Sequence, residues 1–517
     1  MSLLNSIFLL PLIAALVLVL IPGNYRFVIR SIALLATLAS AVQAVRLFLA
    51  FDPAMSGYQF QESAPWAPVL GIQYRAGVDG VNLGLVLMGA IVLFAATCVS
   101  REITRRDKEY YILLLLMGGG ILGAFVSLDL VFFYVLHELA LVPTFILMGV
   151  WGHGEKKTYA TYQITLYLSL GALVALAGLL ALYLQLPPAE RTFDLVRITS
   201  HFEAAVMPAA TQRAIFPLLL FGFGILVSLW PFHTWAPLGY GSAPTAAAML
   251  HAGVIKKFGL YGLIRVALPV LPEGAKAWMP VLAWLCLGNI VYCGWVAMRQ
   301  RRFDLLLGNS SVAHVGFAFL GIASLSLVGV TGTVLVMVAH GFLAALLFGL
   351  AGHLRQQRGE VDMTALGGLA KPMPFFSLAL VMGLFAGCGL PGFANFPGEL
   401  LVMFGAWQEL RWFVVAAAWG GLVIGALYAL RAIRQILHGP VTRSDTEPRD
   451  IRGWWRKLPF AALLACLLIF GVQPQHLVGP AQDAVAGILK CRPPEIKKPA
   501  APNKAVWPPA STRRNRP

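Results

Sequence analysis

The sequence predicts an all-α polytopic membrane protein with about 14 transmembrane helices, built as two inverted five-helix repeats with discontinuous helices 7 and 12. Three observations predict it. Of 517 residues, 58% are hydrophobic and 12% are charged, with a mean hydropathy of +0.75. Soluble chains carry about 25% charged residues, so little polar surface is left to face water. Apolar runs long enough to cross a ~30 Å hydrocarbon core recur along nearly the whole chain. Two of those runs are interrupted by proline- and glycine-rich loops.

The runs occupy residues 2–21, 28–50, 77–98, 110–127, 128–150, 161–185 and 214–232 in the first half of the chain. They continue at 243–267, 278–298, 303–324, 327–353, 373–409 (interrupted), 412–436 and 458–474. Backbone groups in lipid must bond within their own segment, so these runs are helices. The period-two alternation of a membrane barrel is absent. No Lys or Arg precedes the first run and no clear small-residue cleavage site follows it, so it reads as helix 1 and not as a signal peptide.

The net charge of +16 is distributed in alternate loops, which argues against a nucleic-acid partner. One set, from Arg26 and Arg30 through Arg101–Lys108, Lys156–Lys157, Arg299–Arg302, Arg355–Lys371 and Arg431–Lys457, holds 21 Lys and Arg. The opposite set holds seven. By the positive-inside rule the rich set faces the cytoplasm and the N-terminus faces outward. The Pro-rich tail does not follow the rule: residues 490–517 carry eight Lys or Arg and one Glu on the predicted outer side. It reads as a disordered, solvated tail.

The six cysteines, at 98, 286, 293, 388, 466 and 491, form no metal-ligand spacing, and no P-loop, nucleotide fingerprint or zinc-protease motif is present. Glycine runs such as Gly118–Gly120 lie inside apolar helices and read as packing residues.

The first break spans Trp230-Pro231-Phe232-His233-Thr234-Trp235-Ala236-Pro237 and runs on to Pro244; the second spans Leu390 to Glu399 (LPGFANFPGE). Proline removes a donor and glycine costs helix entropy, so both sites unwind or kink. Unwound backbone at membrane depth survives only beside protein or water. The breaks fall in helices 7 and 12, five apart, and an odd repeat length inverts the second unit. Such paired breaks mark ion sites in transporters. The chain thus divides into 1–98 (helices 1–3), 99–267 (first repeat), 268–436 (second repeat), 437–490 (a loop and helix 14) and the tail 491–517.

A charge at the bilayer centre costs ~2.5–3.5 kcal/mol even on the lenient scale, so a helix that keeps one usually lines a pathway. Glu138 lies deep in helix 5, Lys256 and Lys257 lie mid-helix 8 with His251 before them, and Glu399 follows the second break. His233 is in the first break; His314 and His340 sit within helices 10 and 11. A lone buried histidine is more often a packing residue, but Glu138 and Lys257 have long apolar flanks and no easy route to snorkel. Acid and base in a wet, low-dielectric channel form a switchable ion pair, and histidines between them pass protons near neutral pH.

These residues fall in recognisable strings. Phe133–Pro143 (FYVLHELALVP), Pro231–Pro237 (PFHTWAP) with Ser242–Thr245, and His251–Arg265 (HAGVIKKFGLYGLIR) resemble the signatures of the antiporter-like subunits of respiratory complex I. Ser310–Phe317 (SSVAHVGF) and His340–Phe348 (HGFLAALLF) do so too, and the match runs from about Asp79 to about Pro474. Glu399 in the second break resembles the subunit M branch of bacterial NADH-quinone oxidoreductase, because related subunits usually carry Lys there. The resemblance implies a proton channel with Glu138 near its mouth, Lys257 central, His314 and His340 beside it, and Glu399 at the distal end. It implies an enzyme role as one subunit of a proton-translocating NADH:quinone oxidoreductase of the bacterial inner membrane. Neighbouring antiporter-like subunits are the expected partners. Flavin, Fe–S clusters and quinone are expected in other subunits, with no cofactor or redox centre in this chain.

One family feature is missing. A helix-7 Lys is expected seven residues before His233, and that position is Leu226. Glu138 then needs another partner, for which His137, the extra Lys256 or water are the candidates. The alternatives to a pumping subunit are a cation/proton antiporter subunit, a membrane subunit of an energy-converting hydrogenase, and a structural copy that no longer pumps.

Overall fold

The computed structural model describes residues 2–359, 361–440 and 448–490. Cys491 and the basic tail lie outside the described residues. Among those described, twelve helices are long and apolar enough to cross a membrane. They run from Leu3–Leu20 and Arg26–Ala50 to Arg411–Leu437 and Trp454–Val472. Two further expected spans are not single long helices. Residues 245–270 are short α segments joined by π-turns at His251–Ile255 and Leu263–Ala267. The run 373–409 is split into Pro374–Gly387 and Asn395–Ala406. The first break is equally plain. Helix Ala209–Val227 ends where Ser228 turns left-handed (φ 72°), and the chain resumes as Trp235–Ser242.

Leu327–Arg358 is the axis of the bundle. Its 32 residues reach ~48 Å at 1.5 Å per residue. The Ser326 hydroxyl caps it, accepting from the Gly329 amide at 3.0 Å. It packs against Phe303–Ala323, Asn395–Ala406, Leu83–Val99 and Trp454–Val472 and is buried along nearly its whole length. Lys157–Gln185 and Arg26–Ala50 lie at the perimeter with exposed leucines such as Leu166, Leu173 and Leu35, the apolar surface that lipid or a neighbouring helix covers.

The loops rich in Lys and Arg gather at one end of the bundle. There Glu102 accepts from the Thr245 amide (3.2 Å) and from Gln356, Arg302 pairs with Asp304 (2.6 Å), and Arg30 donates to the Ile103 carbonyl (2.8 Å). The opposite end is organised by Asp129 and Asp194, which cap Leu130–Trp151 and Leu195–Ala204 through the amides of Val131 and Val196, both at 2.9 Å. Arg75 is paired with Asp194 at 2.5 Å.

Three elements at that second end lie outside the expected spans. Gln59–Ala67 and Ile72–Val78 form an antiparallel hairpin. Pro68–Leu70 makes its turn and Gly71 supplies the left-handed residue (φ 72°) that closes it. Leu195–Ala204 is a short amphipathic surface helix. A second surface helix, Gln475–Leu489, follows the last span in the segment expected to be only a loop and helix 14. It rests on Gly80, where a Cβ would stand 1.7 Å from the Pro480 carbonyl oxygen, so only glycine permits the approach.

Candidate functional site

The centre of the site is made by the π-turn in the eighth span. There the Lys256 amide donates to the His251 carbonyl (3.2 Å), five residues back instead of four. One extra residue in a turn shifts every side chain that follows, and such bulges recur at functional sites. With this shift the fully buried Lys257 bonds the Ala252 carbonyl through Nζ at 2.6 Å and meets His340 Nδ1 at 2.7 Å.

His340 and His314 face each other with ring centroids 5.8 Å apart, within reach of one bridging water. His314 Nδ1 lies 2.7 Å from the Ser310 carbonyl and Nε2 lies 2.6 Å from the Gly387 carbonyl. The Gly387 carbonyl closes the helix before the second break, one of the terminal groups such a helix leaves without an intrahelical partner. Imidazolium donates to both carbonyls, whereas neutral imidazole can donate to only one of them. Glu399 is buried across the break: its Oε2 sits 2.7 Å from where a Cβ on Gly389 (φ 66°) would be. Among the described residues Glu399 has no ion-pair partner. Lys257 meets His340, His340 faces His314, and Glu399 lies buried beside Gly389, two residues past the Gly387 carbonyl that His314 meets.

Lys256 takes a different direction. Its Nζ donates to Ser311 Oγ at 3.1 Å and lies 5.6 Å from the centre of the Tyr240 ring. It forms no ion pair with Glu138, so the replacement of the missing helix-7 base by Lys256 is not what the fold does. Consecutive helical residues differ by ~100° in direction, and Lys256 spends that difference on the tenth span, away from Glu138. The adjacent Ser310 hydroxyl meets Tyr428 OH at 2.9 Å and His314 Nδ1 at 3.4 Å, so Ser310 and Ser311 bring both lysine branches to one stretch of helix.

Glu138 is set apart from this row. It lies at the perimeter, its side chain 34% exposed, with Oε1 3.6 Å from His137 Nδ1. His137 is buried and stacks on Phe258 (centroids 3.7 Å, planes 13° apart), and the Phe133 ring also stacks on Phe258, at 4.2 Å. Glu138, expected deep along its helix, is turned to the perimeter of the bundle. Leu226 is buried near the end of Ala209–Val227, leaving the seventh span without a base there. His251 packs between Trp235 and Tyr240 (5.5 and 5.6 Å), and among the described residues neither ring nitrogen has a hydrogen-bond partner. His233 packs edge-on to Tyr292 at 5.8 Å, outside the row.

Asn289 is a residue the sequence reading did not single out. Fully buried in the ninth span, it accepts from the Trp230 amide (2.8 Å) and donates to the carbonyls of Ser228 (2.9 Å) and Val312 (3.2 Å). It satisfies the backbone that the first break exposes. One Asn in an otherwise apolar span was the available signal. Among the described residues no group of three His, Cys, Asp or Glu is placed to hold a metal ion.

Replacing Lys256 by alanine is expected to slow coupled turnover less than replacing Lys257, because Ser311 remains able to bond its neighbours. Adding Leu226→Lys is expected to restore none of the loss, since the two positions serve different partners. Proton uptake by vesicles holding the complex checks both; rescue by Leu226→Lys would show that they act as one site.

Comparison with known proteins gives the family and the fold. Residues 127–425 match the family described as NADH:quinone oxidoreductase/Mrp antiporter, transmembrane. The chain is 33% identical to NADH-quinone oxidoreductase subunit M of Rhodobacter capsulatus, over 93% of this chain and 95% of that one. It is also 33% identical to F(420)H(2) dehydrogenase subunit M of Methanosarcina mazei, over 86% and 90%. Its fold superposes on a chain of respiratory complex I from Thermus thermophilus with a TM-score of 0.84 and 29% identity, covering 94% of this chain and all of that one. The chain belongs to the NADH:quinone oxidoreductase/Mrp antiporter family of membrane subunits, and is an antiporter-like subunit of the complex I type.

Proposed function

We propose that this chain translocates protons for a complex of the NADH:quinone oxidoreductase type, driven by quinone reduction in other subunits. The observation that carries the reading is the buried contact of Lys257 with His340, continued by His314 towards Glu399. A lysine ammonium gives its proton to His340 Nδ1, whose ring releases one from Nε2. His314 turns one ring nitrogen away from its carbonyl to receive it and passes one on across the break to Glu399. Each ring turns over to restore its starting tautomer before the next proton arrives, so one proton crosses for each cycle. The carbonyls of Ala252, Ser310 and Gly387 hold the donors in place.

Inverted repeats at 99–267 and 268–436 suit this function, because each supplies one broken helix. The loop charges put the N-terminus on the outer side of a bacterial inner membrane. The perimeter position of Glu138 suits contact with a neighbouring membrane subunit. Flavin, clusters and quinone belong to partner subunits. Relatives named for NADH and for F(420)H(2) are equally similar, which fits an electron donor chosen elsewhere in the complex.

A second reading, a structural copy that no longer pumps, is favoured by Leu226 and by the perimeter position of Glu138. Glu138→Gln tests between them. The change keeps volume and removes titration at a site whose Oε1 has no hydrogen bond to lose. A pumping subunit is expected to lose coupled turnover by roughly tenfold or more, the scale of a lost proton-transfer group. Wild-type proton uptake and quinone reduction in Glu138→Gln vesicles would support the structural copy.

A further inference from the structure

The end of the bundle that gathers the Lys and Arg loops holds a cavity of about 930 Å³ between the third, eleventh and last spans. Four arginines from distant parts of the chain line it. Arg101 belongs to the turn Ser100–Glu102 that ends the third span. Arg449 and Arg452 precede Trp454–Val472, and Arg456 sits in the first turn of that helix. All four are exposed. The wall also holds two carboxylates, and both are occupied. Glu102 accepts from the Thr245 amide and from Gln356. Asp450 caps Pro374–Gly387, accepting from the amides of Phe375 and Phe376 at 2.8 and 3.0 Å. Among the described residues no ion pair engages any of the four arginines.

Two further features leave the cavity short of negative charge. Gly453 has no side chain to cap the first amides of Trp454–Val472, and the first turn carries no acidic residue. Arg456 and Lys457 therefore stand at the positive end of the helix dipole, a place that favours an anion. On the wall contributed by the eleventh span, His353 Nε2 is buried without a hydrogen-bond partner among the described residues.

Size and surroundings define the anion. The volume is roughly thirty times a water's share, within the range of ligand pockets and far more than a single phosphate ion fills. Trp454 and Trp455, beside Arg452 and Arg456, are 68% and 69% exposed, and tryptophans at the end of a span mark the headgroup level of a bilayer. Pro459 and Phe460, one turn further along the span, give the cavity an apolar floor together with Val99. A basic rim at headgroup level above an apolar floor complements a phospholipid phosphate and the glycerol and methylenes beneath it.

We propose that this cavity binds one anionic phospholipid, from the leaflet at that end of the bundle, through its phosphate. Arg452 and Arg456 hold the headgroup from the last span and Arg101 holds it from the third, so the lipid ties the two spans together. The site is separate from Lys257 and its histidines and is independent of whether the chain pumps.

The test uses the purified whole complex and a photoreactive phosphatidylglycerol with its diazirine near the top of one acyl chain. Adducts are mapped by peptide mass spectrometry. They are expected in residues 98–102 and 449–460, roughly tenfold or more above those from photoreactive phosphatidylcholine with the same chains. Unlabelled phosphatidylglycerol is expected to displace them, whereas glycerol phosphate or inorganic phosphate at the same concentration is not. Arg452→Gln combined with Arg456→Gln is expected to weaken binding roughly thirtyfold, about fivefold for each arginine, while adducts on other subunits persist. Equal labelling by the two lipids marks ordinary boundary lipid and overturns the site. Displacement by inorganic phosphate overturns it in favour of a soluble anion. Absence of adducts from both segments overturns it in favour of an acidic segment of a neighbouring subunit. The ratio of the two lipids in the parent complex decides alone if the double variant does not assemble.

Discussion

Lys257→Ala is expected to stop coupled proton translocation while the complex still assembles. Two energies decide this. Removing the side chain leaves His340 Nδ1 without its 2.7 Å partner, a loss of ~1–3 kcal/mol for a buried polar group. It also removes a buried ammonium that itself costs ~2.5–3.5 kcal/mol to keep in the membrane. The two are similar and opposed, so folding changes little. The transfer step has no such compensation, because His340 then loses the proton donor beside its Nδ1. A loss of roughly 100-fold in coupled turnover is the scale expected for removing a positioned proton donor. Blue-native gels report assembly and quinone-dependent acidification of vesicles reports pumping. Loss of the assembled complex would assign Lys257 to packing instead.

Glu399→Gln is expected to give the second largest effect. Gln keeps the volume and one acceptor but cannot accept a proton, so the row would end at His314. The Gly389 backbone gives the carboxylate its place, and Gln fits that place without a shift. Pumping is expected to fall roughly tenfold or more with assembly intact. Glu399→Lys supplies a different titratable group, the one related subunits carry there, and is expected to retain part of the activity. Equal failure of assembly in both variants would point to a structural role.

Much of this architecture was legible in the sequence, for a physical reason. Lipid forces long apolar runs, and proline with glycine marks where they stop, so both breaks could be placed from Trp230–Pro237 and Leu390–Glu399 alone. The buried charges stood out because each is costly. What could not be read was direction. The π-turn at His251–Ile255 leaves hydropathy unchanged, yet it decides that Lys257 meets His340 while Lys256 meets Ser311. An apolar flank on both sides of Glu138 gave its depth along the helix but not which face it occupies, and the fold turns it to the perimeter. The hairpin was missed because its strands lie in a loop between spans, where Gln59–Ala67 has no long apolar pattern. Asn289 was missed because a single amide in an apolar helix looks the same whether it packs or clamps a broken backbone.

The most direct measurement is the number of protons moved per electron delivered to quinone, determined for the parent complex and for Lys257→Ala in the same vesicles. If this chain carries protons along the Lys257–His340–His314–Glu399 row, the ratio falls in Lys257→Ala, or electron transfer stops together with pumping. An assembled Lys257→Ala complex that reduces quinone at the parent rate with the parent ratio would contradict the account.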